Sequence, residues 1–270
     1  MKNSDLEKHA QNIRKNIIKM ISNAQSGHPG GSLSAADIMT YLYFVEMDIN
    51  EQNVDGINRD RFVLSKGHAS PVLYAVLAEK GLLREDLMSF RKINSKLQGH
   101  PNMNCVAGVD MSTGSLGQGI SAAVGMALAN KIDGNDHRVY ALLGDGECEE
   151  GQVWEAAMAA AHYNLDNLCA IVDLNYLQID GNIQDVMNPT PIDEKFKAFG
   201  WHVVEINGHD FDEINYAFDL ARKYHHQPTM ILAHTIKGKG VSFMENEAKW
   251  HGSAPNEQQC LDALKELDGE

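Results

Sequence analysis

The sequence of 270 residues lacks the features that mark membrane, secreted and nucleic-acid-binding proteins. It has no run of about 18 apolar residues, the usual length of a membrane-spanning helix. Its first residues, Met1 to Asp5, carry no apolar signal region. The four cysteines form no CxxC pair and no disulfide-like spacing, which is typical of a reducing cytoplasm. Acidic residues outnumber basic ones by 37 to 23, so we expect a cytoplasmic protein that binds neither nucleic acid nor an anionic membrane.

Apolar residues make up 43% of the chain, enough for one large core and a single domain spanning residues 1–270. The hydrophobic pattern predicts strands at residues 61–65, 139–143, 168–172, 202–206 and 229–235. It predicts helices at residues 6–24, 34–44, 113–130, 155–162, 192–199, 210–224 and 256–267, with irregular segments at 180–191 and 237–252. Strands that alternate with helices predict an α/β fold with a mainly parallel sheet covered on both faces.

Two neighbouring predicted strands end in polar loops. Gly144-Asp145-Gly146 follows the strand at 139–143, and Asn175 follows the strand at 168–172, thirty residues after Asp145. Ligands bind at the carboxyl edge of such sheets, so we expect both side chains to lie there together. Four carboxylates between positions 145 and 150 would repel a bare phosphate, whereas a divalent cation accepts carboxylate, amide and phosphate oxygens. The pattern therefore predicts a Mg²⁺ ion that bridges the protein and a diphosphate; a simple acidic turn is the alternative.

Histidines recur on turns next to glycine or proline. His28, His68 and His100 all have this setting, and loops at one edge of a sheet can bring such side chains into one pocket. Histidines on helix caps at the surface are the alternative interpretation.

His209 precedes the predicted helix cap Asp210 and is not assigned to the site. Cys148 lies near the acidic loop and is expected to be incidental rather than a nucleophile.

The glycine-rich segments do not fit the common nucleotide-binding loops. After Gly144 and Gly146, the third glycine of a dinucleotide fingerprint would fall on position 149, which is Glu149. The segment 237–240 lacks the spacing of a Walker loop. A dinucleotide-binding oxidoreductase is therefore disfavoured. Glycines at 117, 119 and 125 fall in a predicted helix, where each costs about 1 kcal/mol relative to alanine, so we expect close packing there.

Seven sequence blocks, in order, resemble the diphosphate-binding section of transketolase. The blocks are S-G-H-P-G (26–30), L-S-K-G-H (64–68), Q-G-H-P (98–101), T-G-S-L-G-Q-G (113–119), G-D-G (144–146) with Asn175, K-G-K-G (237–240) and W-H-G (250–252). The resemblance covers nearly the whole chain. The related deoxyxylulose-phosphate synthase is less similar, because its early histidine segment differs from L-S-K-G-H. Ser115 stands where many single-chain members have proline, a change that leaves the chemistry untouched.

The resemblance implies a thiamine diphosphate cofactor and Mg²⁺, with Ca²⁺ or Mn²⁺ as substitutes. The side chains of Asp145 and Asn175 and the carbonyl of Leu177 would bind the metal. Gly144 and Gly146 would line the diphosphate.

Four histidines would serve the phosphate and the sugar. By resemblance, His68 and His251 would hydrogen-bond phosphate, with His251 also placed to assist proton movement. His28 and His100 would face the sugar hydroxyls. Imidazoles suit both tasks because they donate hydrogen bonds and relay protons near neutral pH.

The remaining implied roles concern the cofactor rings and other subunits. Leu116 and the backbone of Gly114 would lie against the rings, and Glu150 and Glu155 would join a carboxylate network at the subunit interface. The aminopyrimidine-binding section and the activating glutamate of the family would come from a C-terminal partner subunit. Two copies of each chain would form an α2β2 enzyme that moves a two-carbon ketol unit between sugar phosphates. The alternatives are a non-catalytic cofactor-binding or regulatory module, a modified-sugar transketolase and a deoxyxylulose-phosphate synthase-like subunit.

Overall fold

The computed structural model describes residues 1–269 of the chain. The strands are β1 Arg61–Leu64, β2 Val139–Gly144, β3 Leu168–Leu174, β4 Leu177–Gln178, β5 Gly181–Asn182, β6 His202–Asn207 and β7 Thr229–His234. The α-helices are α1 Asn3–Ala24, α2 Pro29–Ser34, α3 Ala36–Tyr41, α4 Ser70–Glu79, α5 Gln118–Asp133, α6 Gly151–His162, α7 Ile183–Met187, α8 Ile192–Ala198, α9 Phe211–Lys223 and α10 Glu257–Asp268. Within this described range, no helix is both long and apolar enough to cross a membrane.

Five parallel strands form the central sheet in the order β1-β2-β3-β7-β6, and β4 and β5 form a separate antiparallel hairpin. Every residue of the central strand β3 is buried, as expected for a parallel sheet covered on both faces. In the register, Gly144 lies opposite Asp173, and Leu174 lies opposite His234. The carboxyl ends of β2, β3 and β7 therefore meet at one edge, which confirms the predicted α/β class and positions the site.

The core has one layer on each face of the sheet because successive strand residues point to opposite sides. On β3, Cys169 and Ile171 pack in one layer with α1, α3, α4 and α9. Ala170 and Val172 pack in the other layer, against small residues of α5 and α6 such as Ala157. Helix α10 joins the first layer and α8 the second.

Three predicted segments were partly wrong. The helix predicted at 34–44 begins earlier, at Pro29, is divided into α2 and α3, and ends in a π-helical turn at Leu42–Glu46. Residues 113–117 are not helical, because Gly117 takes a left-handed conformation with φ of 82° and caps α5. The segment 180–191 contains β5 and α7 rather than only irregular chain.

The three glycines predicted to lie in a helix at 117, 119 and 125 differ in how closely they pack within this chain. A Cβ atom at Gly119 would lie 2.6 Å from Cα of Ser65, so only glycine fits there. A Cβ atom at Gly125 would have no atom within 4 Å. A Cβ atom at Gly117 would lie 2.8 Å from Cβ of Glu150. The close packing predicted for these glycines is therefore confirmed at Gly117 and Gly119 and wrong at Gly125 for the isolated chain.

Candidate cofactor site

Asp145 and Asn175 lie on adjacent turns at the carboxyl edge of the sheet. The two carboxylate oxygens of Asp145 accept backbone N–H bonds from Gly146 at 2.8 Å and from Tyr176 at 2.5 Å. The amide oxygen of Asn175 accepts the backbone N–H of Leu177 at 3.2 Å. Burial, followed by the nearby Asp173 carboxylate, raises the pKa of Asp145 to about 6. A cation bound at Asp145 would remove this electrostatic penalty.

These turns border a cavity of about 260 Å³ that also contains most of the other predicted binding residues. Its lining includes Gly144, Asp145, Gly146, Asn175, Leu177, Leu116, His68 and His251, together with Gly31, Lys66, Glu147, Gln178, Ile179 and Lys237. A larger groove of about 480 Å³ lies elsewhere, beside Arg61 at the amino end of β1. We assign the ligand site to the smaller cavity, because the strand carboxyl ends and the predicted residues meet there.

A buried ion pair supports the floor of the cavity. The Nζ atom of Lys66 bonds Oδ2 of Asp173, and both side chains are fully buried. Asp173 also accepts hydrogen bonds from Ser34 at 2.6 Å, from Asn175 at 3.1 Å and from Thr235. Burial raises the pKa of Asp173, but the Lys66 ammonium and these hydrogen bonds outweigh it and lower the pKa below its ordinary value. The hydrogen bond to the ionised Asp173 carboxylate therefore helps to fix the Asn175 side chain.

A second buried lysine contacts a predicted metal ligand directly. Nζ of Lys237 donates a hydrogen bond of 2.8 Å to the carbonyl oxygen of Leu177. Lys237 is only 2% exposed, and burial lowers its pKa to about 8. Lys66 and Lys237 both belong to the sequence blocks given above, but the sequence predicted a role for neither. Their burial, which could have singled them out, is visible only in the fold.

Three of the four predicted histidines form one cluster beside the cavity. The ring centroids of His28 and His68 lie 5.3 Å apart, those of His28 and His251 5.4 Å, and those of His68 and His251 5.0 Å. Of His28, His68 and His100, for which convergence was predicted, the structure brings His28 and His68 together, and His251, a site residue implied by the resemblance, joins them. His28 immediately precedes α2 and His251 ends a short 3-10 helix at Ala248–His251, so distant segments of the chain provide them.

The cluster is electrically neutral near pH 7. Burial, followed by the Arg91 guanidinium, lowers the pKa of His28 to about 4, and burial, followed by the Lys237 ammonium, lowers that of His251 to about 3. Burial and the Lys66 ammonium hold the pKa of His68 well below its ordinary value. The buried Nδ1 atoms of His28 and His251 have no hydrogen-bond partner within the described chain. Such unsatisfied atoms beside a cavity are suited to a polar ligand.

His100 stands next to this cluster in a separate, wider cavity of about 480 Å³ that Gly114 also lines. A Cβ atom at Gly114 would lie 3.2 Å from the His100 ring, so the ring packs closely on that backbone. Burial, followed by the Arg91 guanidinium, lowers the pKa of His100. His100 is close enough to His28 to lower the pKa of that ring.

The carboxylates of the acidic loop at residues 145–150 have different partners. Glu147 is buried and accepts the backbone N–H groups of Gly117 at 2.8 Å and Gly144 at 3.0 Å, and the hydroxyl of Ser65. It therefore ties three loops together, a role that sequence reasoning missed because the partners are distant in sequence. Glu149 bonds Gln178 at 2.9 Å.

The residues predicted for a subunit interface and those left out of the site do not line the cavity. Glu150 and Glu155 are exposed at the start and middle of α6. Cys148 is buried, with a pKa held well above its ordinary value by burial. His209 lies 2.7 Å from Asp37 and accepts the backbone N–H of Ile236 at 2.9 Å.

The donor set fits a metal-bound diphosphate. One carboxylate, one amide oxygen and one carbonyl are hard oxygen ligands of the kind that Mg²⁺ prefers. Two buried ammonium groups and neutral imidazoles are donors suited to phosphate oxygens. No cluster of three or more His, Cys, Asp or Glu side chains suited to a metal occurs in residues 1–269, and the predicted ligand set does not require one.

The parallel sheet and the donor-lined cavity at its carboxyl edge define an α/β protein built to bind a phosphorylated cofactor. Residues 6–269 match the family described as "Transketolase, thiamine diphosphate binding domain". The chain belongs to this family, and it is an enzyme of the transketolase type.

The chain matches relatives of about its own length and also much longer relatives. It is 45% identical to the 6-deoxy-6-sulfo-D-fructose transketolase subunit SqwG of Clostridium sp. (strain MSTE9), covering 98% of this chain and 97% of that protein. It is 42% identical to an apulose-4-phosphate transketolase subunit of Phocaeicola vulgatus, covering 97% of this chain and 93% of that protein. Human transketolase is 43% identical, but the match covers 97% of this chain and 42% of that protein.

A solved structure agrees with the fold. The crystal structure of transketolase from Campylobacter jejuni superposes with a TM-score of 0.92 at 38% identity, over 99% of this chain and 43% of that one. The chain therefore spans nearly the full length of the two relatives named as subunits and less than half the length of the single-chain transketolases.

Proposed function

We propose that this chain binds thiamine diphosphate through Mg²⁺ and, with a C-terminal partner subunit, transfers a two-carbon ketol unit from a ketose phosphate to an aldose phosphate. The observation that carries the proposal is the single cavity in which a buried carboxylate, an amide oxygen and a carbonyl face two buried lysines and neutral histidines. When bound, the cofactor supplies the carbanion chemistry of ketol transfer.

The proposed metal ligands are Asp145, Asn175 and the carbonyl of Leu177, and Ca²⁺ or Mn²⁺ would suit the same hard donors. Gly144 and Gly146 would line the diphosphate. A Cβ atom at Gly146 would lie 3.3 Å from the Gln178 side chain, so this glycine packs closely against the β4–β5 hairpin.

The histidines divide into two proposed groups. His68 and His251 would donate to phosphate oxygens, and His251 would also assist proton movement. His28 and His100 would face the sugar, with His28 linking both groups through its contact with His68. Their lowered pKa values support these roles, because a neutral imidazole can accept as well as donate a proton. Leu116 and the Gly114 backbone would contact the cofactor rings.

We further propose an α2β2 assembly in the cytoplasm, with residues 1–270 as one cofactor-binding domain and the pyrimidine-binding domain on the partner. The word "subunit" in the names of both full-length relatives supports a second chain. Glu150, Glu155 and the open side of α5 at Gly125 would lie at an interface between chains, and their exposure supports this. Closed two-fold symmetry is the usual arrangement for a shared site.

A modified sugar is a second candidate substrate. The full-length relatives are named for 6-deoxy-6-sulfo-D-fructose and for apulose 4-phosphate. Both of these sugars carry an anionic terminal group, as ordinary sugar phosphates do. We therefore include them among the donors to be assayed.

The test is to co-express the chain with its partner and to assay ketol transfer with saturating Mg²⁺ and thiamine diphosphate. We expect activity from the assembly and none from the isolated chain. A cofactor-binding assembly that transfers no ketol unit from any of these donors would instead support a non-catalytic module.

A further inference from the structure

A hydrogen-bonded chain of three side chains ends on the residue between two candidate metal ligands. The hydroxyl of Tyr176 lies 2.6 Å from Nδ1 of His234, and Nε2 of His234 lies 3.2 Å from Oε2 of Glu205. One tautomer satisfies both contacts, because a neutral imidazole can accept at Nδ1 and donate at Nε2. We name Tyr176, His234 and Glu205 the Tyr176 relay.

The backbone of Tyr176 has a conformation that its neighbours must hold in place. Its φ of 66° lies in the left-handed region, which is uncommon for an aromatic residue. Such conformations persist where several contacts fix them. The amide of Tyr176 donates to Asp145, and its carbonyl accepts the amide of Ile183 at 3.0 Å. The phenol is the third anchor, and it connects the turn to the sheet.

The relay crosses three adjacent strand ends. His234, the last residue of β7, lies opposite Leu174 of β3 and Asn207 of β6, and Glu205 belongs to β6. The side chain of Tyr176 thus attaches the turn after β3 to the two strands beside it. Tyr176 is 37% exposed, so water competes for its hydroxyl and each contact contributes modestly.

We propose that the Tyr176 relay positions the turn at residues 175–177, so that the Asn175 amide oxygen and the Leu177 carbonyl face the cavity before the metal-bound cofactor arrives. All three relay members are positioning residues that act through the turn. The inference rests on the proposed function, because it assigns the turn to metal binding. It adds residues for which no motif in the sequence analysis gave a role.

The first test measures the turn itself by hydrogen exchange on the full chain without cofactor. Tyr176→Phe keeps the ring and removes the hydroxyl. Tyr216→Phe, at an exposed position of α9, is the matched control. We expect exchange at the amides of residues 175–178 to rise about 2- to 10-fold in Tyr176→Phe and to stay unchanged in the control. Unchanged exchange in Tyr176→Phe would overturn the proposal.

The second test measures thiamine diphosphate affinity of the assembly with its partner in the presence of Mg²⁺. Tyr176→Phe and His234→Ala should each weaken binding about 2- to 10-fold, and the double variant should weaken it no further, because both changes break one chain. Fully additive losses, or a Tyr176→Phe affinity equal to that of the control, would contradict a positioning role. A wild-type assembly that does not bind the cofactor would overturn the proposed function, while the exchange result would still decide whether the relay holds the turn.

Discussion

Nζ of Lys237 donates a hydrogen bond of 2.8 Å to the carbonyl oxygen of Leu177, the backbone group proposed as a metal ligand. The lysine is almost fully buried, and its pKa is lowered to about 8 by burial, so its charge is costly in the chain alone. The Asp145 and Asp173 carboxylates offset part of this cost, and a diphosphate would add further negative charge. We therefore interpret Lys237 as a group held ready for an anion beside the metal position.

Lys237→Met should weaken thiamine diphosphate binding by about 10-fold or more, because a charge-assisted hydrogen bond is lost while the buried aliphatic stem is kept. Lys239→Met is the matched control, since Lys239 is two residues away and pairs with Glu245 at the surface. Calorimetric titration of both variants with partner and Mg²⁺ checks the prediction. Equal affinities for the two variants would show that Lys237 serves only the fold.

His68 and His100 line different cavities, so we expect their substitutions to affect different steps. His68 lines the cavity with Asp145 and Asn175, so His68→Ala should raise the Kd for thiamine diphosphate more than it lowers kcat. His100 lines the wider cavity with Gly114, so His100→Ala should impair turnover and the KM for the sugar more than cofactor affinity. Steady-state kinetics and cofactor titration on both variants test this division. The same pattern in both would mean that the roles are not divided.

We predict that alanine substitutions at two glycines of α5 change the free energy of unfolding in opposite directions. Gly119→Ala should destabilise the chain by about 1 to 3 kcal/mol, because the new Cβ would overlap Ser65. Gly125→Ala, with open space around it, should stabilise the isolated chain by about 0.5 to 1 kcal/mol through helix propensity. Urea denaturation of the isolated chain measures both. A stabilised Gly119→Ala would contradict the packing described for β1 and α5.

The buried pair of Asp37 and Arg14 predicts an acid-sensitive part of the stability. Burial alone would raise the pKa of Asp37, but the Arg14 guanidinium and hydrogen bonds from His209 and Arg14 lower it from 3.8 to about 2. Since the folded pKa lies below the unfolded one, the unfolded chain takes up the proton first as the pH falls. The resulting stabilisation of about 2 kcal/mol is present above about pH 4 and is lost between about pH 4 and pH 2.

Chemical denaturation between pH 7 and pH 3 should show the first part of this loss in the wild-type chain. Asp37→Asn should lower stability at pH 7 by about 3 kcal/mol, because it leaves Arg14 buried without its partner. The variant should also lose less stability on acidification than the wild type. Asp185→Asn, an exposed change on α7, is the control. An identical pH dependence in Asp37→Asn and wild type would rule out Asp37 as the titrating group.

Sequence reasoning located the strands and the turns at Asp145 and Asn175 because their signals are local. The apolar runs before Gly144 and Asn175 end in turns, and parallel strands bring such ends together. It could not find Glu147 as a tie between loops, since its partners Ser65 and Gly117 are brought to it only by the fold.

The start of α5 near Gly117 shows that backbone conformation is a second feature that the sequence pattern did not reveal. A run of small residues has helical propensity, but the positive φ of Gly117 delays the start of α5 to Gln118. The turn at Tyr176 was missed for a similar reason, because its left-handed backbone depends on contacts to Asp145 and Ile183 rather than on its own residue type.

The measurement that tests the central claim most directly is calorimetric titration of thiamine diphosphate into the assembly of Asp145→Ala chain and partner, with Mg²⁺ present. The change removes the candidate carboxylate ligand at the sheet edge, and Asp180→Ala, at the exposed tip of the β4–β5 hairpin, is its matched control. We predict that Asp145→Ala abolishes Mg²⁺-dependent binding while the circular dichroism spectrum stays that of the wild type, and that Asp180→Ala binds normally. Wild-type affinity in a folded Asp145→Ala assembly would contradict the account, because the acidic loop would then be only a turn.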